Sequence, residues 1–162
     1  MGENHLKIIK AEILQELQVL KDLSKDCVKF YEKNKNNLEN SYNLRVLGSI
    51  LHDFYTCIEK IFRNIAIKID EEIPSGPSWH SNLLERMNLS IPTIREKVID
   101  ADLKNTLYDY MRFRHIFRNV YGFELNWDKM GHLVVSIDNA YKDFKSQIQK
   151  FLSFLDQVNI AD

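Results

Sequence analysis

Leu44, Leu47, Leu51, Phe54, Ile58, Ile61, Ile65 and Ile69 follow one another at steps of three and four residues. On an α-helix that spacing makes one continuous stripe about seven turns long, whereas a strand would scatter the same residues over both faces. A helix of this length must bury its stripe against other helices or against a sheet. No segment alternates with period two for long enough to build a sheet. Five glycines and three prolines in 162 residues are also too few to supply the turns of a sandwich or barrel.

The same period recurs on either side. Leu6, Ile9, Ile13, Leu17, Leu20, Cys27 and Tyr31 predict a first helix, closed by an Asn-rich stretch at residues 34–43. The run Pro74-Ser75-Gly76-Pro77 ends the second. Trp79, Leu83, Leu84 and Met87 are the apolar face of a short third helix with Ser78 as its N-cap, closed by Pro92. Residues 93–101 fit no period and leave room for a separate turn of helix. A fourth helix runs from about Leu103 to Tyr121, where Gly122 suits a left-handed C-cap. Asn126 caps a last helix carrying Met130, Val134, Ile137, Tyr141, Phe144, Ile148, Phe151, Leu155 and Val158. The expectation is an all-α antiparallel bundle of about five helices in a single domain over residues 1–162. Three helices near 30 residues would each be roughly 45 Å long.

Cys27 and Cys57 have neither the number nor the spacing of a disulfide framework or zinc site, so both read as reduced thiols of a cytoplasmic protein. No stretch approaches the ~18 apolar residues of a membrane span, and residues 1–10 alternate charged with apolar side chains. The formal charge is −1, from 22 Lys and Arg against 23 Asp and Glu, so a nucleic-acid partner would need a local basic patch.

Residues 110–127, YMRFRHIFRNVYGFELNW, supply such a patch: Arg112, Arg114, His115 and Arg118 lie in a stretch free of acids from Tyr110 to Phe123. At about 100° per residue, Arg112, Arg114, His115, Arg118 and Asn119 share one half of a helix. Phe113, Ile116, Phe117 and Val120 occupy the other half, and Tyr121 stands on the Arg114 edge. Taken alone, three arginines near a helix C-terminus describe a solvated face that complements the macrodipole. Arginine also binds phosphate bidentately, and a neighbouring histidine exchanges protons near neutral pH, so the set equally fits a phosphodiester.

Three segments carry a family resemblance: LHDFYTCIEKIF at residues 51–62, IPSGPSWHSNLLERM at 73–87 and FRHIFRNVYGFELNW at 113–127. The chain resembles the HEPN superfamily, in particular the HepT-like ribonuclease toxins that pair with a minimal nucleotidyltransferase (MNT) antitoxin. The family pattern is Arg, a polar residue, three residues, His, one residue, Tyr. Arg114, His115 and Tyr121 match it, whereas Asn119 stands at the histidine position. The resemblance implies a homodimer whose paired motif helices form one cleft for RNA, with Arg112 and Arg118 as further RNA contacts. It implies RNA cleavage by attack of the ribose 2′-OH, without metal or other cofactor, and the chain shows no compact His/Cys/Asp/Glu ligand spacing. It also implies an MNT partner that adenylylates Tyr121, setting a phosphate and a bulky base beside Arg114.

Asn119 departs from the pattern in a way that matters, because asparagine cannot act as a general acid or base. Two readings stay open: an active ribonuclease helped by His115 or by water that Asn119 orients, and a non-catalytic module that binds RNA or its MNT partner. Other groups read as structural. Trp79 staples its loop to the bundle, and His80 is a surface residue unless the third helix starts beside the Arg114 cleft. His52-Asp53 reads as a capped or solvent-facing pair, and Asp70-Glu71-Glu72 as the exit of the second helix. Phe54, Phe62, Phe144, Phe151 and Phe154 keep helical spacing and belong to the core.

Overall fold

A computed structural model describes residues 3–121 and 124–160, with side chains over 4–121 and 124–157. Within it the chain forms five helices: α1 (Glu3–Asn34), α2 (Ser41–Lys68), α3 (Trp79–Met87), α4 (Ala101–Asn119) and α5 (Trp127–Ile160). Pairing in the described residues is limited to one isolated bridge, Ile91 to Arg95. The all-α bundle holds, with three long helices of 32, 28 and 34 residues.

The chain direction of each helix is fixed by contacts that run in opposite sequence order. Lys10 near the start of α1 meets Asp156 near the end of α5, while Tyr31 stacks on Trp127 at the other end. Glu12 of α1 takes Asn64 and Lys68 from the last turns of α2, and Glu16 takes Cys57. The N–H of Asp100, just before α4, donates to Gln147 of α5, and ten residues later Tyr110 donates to the Leu133 carbonyl. Helix α2 packs against all four others. Its stripe from Leu44 to Ile65 is buried, and Phe54, Phe62 and Phe144 are fully enclosed.

Local chemistry sets the ends. The Asn40 side chain accepts from Tyr42 and Asn43, Asp100 accepts from the Leu103 N–H, and Asn126 accepts from Asp128, each an N-cap that satisfies otherwise orphaned donors. Helix α2 stops at Lys68, before the proline run: Glu71 adopts φ 55° and the Glu72 N–H closes onto the Ala66 carbonyl. Ser78 stands at the start of α3, but its side chain makes no capping bond. Helix α4 begins two residues before Leu103 and ends at Asn119, not Tyr121, because Val120 is already extended. Gly122 lies outside the described residues, as does the Val158 side chain.

Residues 93–101 form no separate turn of helix; α4 simply begins at Ala101. The segment before it is irregular and organised around Arg95, whose side chain is fully buried. Its guanidinium holds Asp70 through two bonds of 2.6 and 2.9 Å and also donates to the carbonyls of Leu89, Glu96 and Arg86. Asp70 therefore does more than mark the exit of α2: it anchors the α3–α4 connection. Phe151 is buried with the other core aromatics, and Phe154 only partly so. Both cysteines are free and buried. No helix among the described residues is long and apolar enough to cross a membrane.

Candidate functional site

Helix α4 reaches the site through a close crossing of α2. A Cβ on Gly48 would lie 2.8 Å from the Phe117 ring, so glycine at this position allows the two helices to approach. Phe113 is buried and Phe117 partly so, which anchors one face of α4 as its periodicity predicts. Ile116 departs from that expectation. It is 53% exposed and lines the cavities on either side of the helix instead of packing into the core.

Next to this crossing is a cleft of about 440 Å³ lined by Pro77, Ser78, His80, Ser81, Tyr108, Met111, Arg112, Arg114, His115, Ile116 and Arg118. Three arginines and two histidines face it, and no carboxylate is among the lining residues, in a chain of net charge −1. Four of the six residues singled out by sequence are thus brought together: Arg112, Arg114, His115 and Arg118. Arg112 is exposed and lies over the Tyr108 ring, 6.0 Å from its centroid. His115 is exposed on the same face.

Arg114 does not belong to a solvated helix face. Only 3% of the residue is exposed, and its guanidinium lies over the Tyr55 ring at 4.9 Å. Nη1 and Nη2 donate to the two carboxylate oxygens of Glu59 at 3.1 and 2.7 Å. Glu59 is itself 6% exposed, so this is a buried ion pair with fork geometry. Burial, and the Glu59 charge after it, push the Tyr55 hydroxyl above its ordinary range, leaving that ring a neutral platform.

His80 is where the sequence reading needs its largest correction. It is no detached surface residue: the start of α3 sets its Nδ1 2.6 Å from Glu59 Oε2 and 2.9 Å from Arg114 Nη2. Guanidinium nitrogens only donate, and a carboxylate held by a guanidinium stays an acceptor. The 2.6 Å contact therefore makes Nδ1 the protonated nitrogen, donating to Glu59, and the 2.9 Å approach of Arg114 Nη2 is then a contact between two donors that share the carboxylate, not a hydrogen bond. Trp79 stacks against the imidazole at 3.6 Å between centroids and takes the Arg63 guanidinium on its ring at 5.4 Å, so it does anchor this corner.

His52 and Asp53 likewise differ from a plain solvent-facing pair. Asp53 Oδ1 lies 3.0 Å from His52 Nδ1, while His52 Nε2 accepts from Arg118 Nε at 3.1 Å. A single neutral tautomer, protonated at Nδ1, satisfies both bonds. The pair thus holds Arg118, one of the residues lining the cleft, through its Nε.

Asn119 and Tyr121 stand apart from the lining. The Asn119 amide donates to the His115 carbonyl at 2.7 Å, back along its own helix. Tyr121 is 72% exposed just beyond the helix end, its N–H donating to the Glu124 carboxylate at 2.8 Å. Glu59 was missed by sequence reasoning, although one signal marks it: Tyr55 and Phe62, one turn away on either side, are both core residues. Among the described residues no three His, Cys, Asp or Glu side chains gather as a metal-ligand group.

No curated protein and no solved structure matches the chain. The model of a family described as HepT-like protein matches residues 46–155, a span that contains most of α2, all of α3 and α4, and every residue lining the cleft. The chain belongs to the HepT-like protein family.

Proposed function

We propose that this protein is an endoribonuclease that cleaves RNA without a metal, acts as a homodimer and is neutralised by an MNT nucleotidyltransferase that adenylylates Tyr121. The observation that carries this reading is the convergence of Arg112, Arg114, His115 and Arg118 on one cleft without a carboxylate. Exposed Arg112 and Arg118 make the first contacts with phosphates. Arg114, rigid on Tyr55 and Glu59, offers its remaining N–H groups to the charge that grows on phosphorus as the ribose 2′-OH attacks. His115 exchanges the proton that this reaction moves.

Two surface features support the partners. Ile116 lies exposed on the motif helix beside Arg112, between this cleft and a second cavity of about 550 Å³. An apolar side chain of that exposure suits coverage by a second copy. Tyr121, at 72% exposure, is within reach of an enzyme that adds AMP.

Purified protein incubated with total RNA in EDTA tests the reading. The expected products end in 2′,3′-cyclic phosphate and 5′-hydroxyl, and Arg114→Ala abolishes them. Binding should weaken steeply with salt through counterion release, and less steeply in Arg112→Ala/Arg118→Ala. RNA left intact by the wild type would refute the enzyme. Light scattering should report a dimer, and co-expression with the nucleotidyltransferase should add the mass of AMP, lost in Tyr121→Phe. One observation favours a non-catalytic binding module: the Asn119 amide is committed to the His115 carbonyl and offers no base. Cleavage that appears only in Asn119→His would select that second reading.

A further inference from the structure

A 2′-OH attack needs a base, and the position that would supply it by family pattern holds Asn119, whose amide is turned back onto its helix. The cleft nevertheless holds two imidazoles, His80 from α3 and His115 from α4. They are not equivalent. His115 is exposed, whereas His80 is fixed through Nδ1 by a carboxylate that is 6% exposed and itself clamped by Arg114. Its ring is pressed against Trp79.

A carboxylate that takes the Nδ1 proton does two things to an imidazole. It fixes the tautomer, leaving Nε2 with its lone pair, and it stabilises the imidazolium that forms when Nε2 takes a proton. Nε2 of His80 has no hydrogen-bond partner among the described residues, and 34% of the side chain is exposed. Glu59 Oε2 serves His80 and Arg114 at once, at 2.6 and 2.7 Å. One buried carboxylate thus holds a base and a phosphate-charge stabiliser in fixed relation. A surface histidine would need no such support.

Resting on the ribonuclease reading above, we infer that His80 is the catalytic base of this protein, with Glu59 as its positioning residue and His115 as the acid. The 2′-hydroxyl proton passes to Nε2 of His80 as the 2′-O–P bond forms. The P–O5′ bond breaks, and the leaving 5′-oxygen takes a proton from the His115 imidazolium. The products are a 2′,3′-cyclic phosphate and a 5′-hydroxyl. His80 then returns its proton to water and His115 takes one up, so the protein ends as it began.

The test uses full-length protein and two RNA oligonucleotides, one of them carrying sulfur in place of the 5′-bridging oxygen at the cleaved bond. A thiolate leaves without protonation, so this substrate needs no acid but still needs a base. His80→Asn keeps an amide donor for Glu59 and guards against loss of fold, which circular dichroism checks. It should cleave the ordinary RNA about 10²–10⁴-fold more slowly than wild type and remain as slow on the sulfur substrate. His115→Ala should also be slow on ordinary RNA, yet recover on the sulfur substrate. For Glu59, the imidazole nitrogen resonances should report a protonated Nδ1 on His80 in the wild type and a shift away from it in Glu59→Ala.

Wild-type rates in His80→Asn, with Arg114→Ala inactive, would overturn the role of His80 and leave the ribonuclease standing. Recovery of His80→Asn on the sulfur substrate would make His80 the acid and overturn the assignment. A wild type inert on both substrates would overturn the enzyme and this inference together.

Discussion

Removing Glu59 is the most informative single change to the bundle. Its carboxylate accepts from Arg114 at 3.1 and 2.7 Å and from His80 at 2.6 Å, with both members of the ion pair under a tenth exposed. At an effective dielectric of about 20, charges roughly 4 Å apart attract by about 4 kcal/mol. Breaking a buried pair from one side costs about 3–5 kcal/mol, since the abandoned charge stays in the interior. Arg114 has little to fall back on: Thr56 Oγ1 is 3.5 Å from Nη1, and the Tyr55 ring offers only its face. Glu59→Ala should therefore lose about 3–5 kcal/mol, or roughly 6–20 °C in melting temperature for a domain of this size.

The comparison that isolates the pair is a double-mutant cycle in urea followed by circular dichroism. Glu59→Ala and Arg114→Ala should each be strongly destabilising, and the double variant should recover at least about 2 kcal/mol of their sum. Glu59→Leu/Arg114→Met, which replaces both charges with apolar groups of similar size, should be as stable as wild type or more so. Additivity of the single changes within about 0.5 kcal/mol would show that the two charges do not stabilise each other, and the account of the cleft floor would fail.

Three further outcomes follow from the packing. Asp70→Ala strands the fully buried Arg95 and should cost about 3–5 kcal/mol in urea melts, whereas Asp156→Ala, opposite a part-exposed Lys10, should cost under about 1 kcal/mol. Gly48→Ala gains about 0.5–1 kcal/mol of helix propensity but drives a Cβ to 2.8 Å from Phe117, an overpacking worth about 1–3 kcal/mol, so thermal melting should show net loss. Burial pushes the Cys27 and Cys57 thiols up to about 12, and the thiolate is the reactive form; native protein at pH 8 should resist iodoacetamide, taking up two groups only after unfolding, as intact mass will report.

What the sequence discloses and what it hides divide along a physical line. Helix existence depends on periodicity within a segment, so the stripe from Leu44 to Ile65 and the cap Asn126 are readable from neighbours a few residues away. The end of α4 is less so, since Val120 turns extended although its side chain continues the apolar pattern. Burial of Arg114 was hidden for a different reason. Its ion-pair partner Glu59 and its neighbour His80 lie 55 and 34 positions away, on helices whose relative placement no local pattern encodes. The Arg95–Asp70 pair, 25 positions apart, was hidden in the same way.

The chemistry of the cleft depends on those distant pairings rather than on the motif alone. Arg112, His115 and Arg118 can be placed from α4 by itself, and a face carrying only these would be a binding strip with mobile, solvated charges. Glu59 changes its character, because a carboxylate held in the interior fixes the orientation of every donor bonded to it. It aligns the Arg114 fork through both oxygens and sets the His80 tautomer through the one they share. Fixed dipoles need no reorganisation when charge develops on a substrate, which is the larger part of electrostatic catalysis. The cost of keeping an ion pair in the core, where Leu and Met would be no less stable, is then intelligible as the cost of a preorganised site. Glu59→Leu/Arg114→Met should then fold at least as well as wild type and cleave no RNA. A stable, active double variant would remove the reason for the buried pair and, with it, the claim that the cleft is built for chemistry.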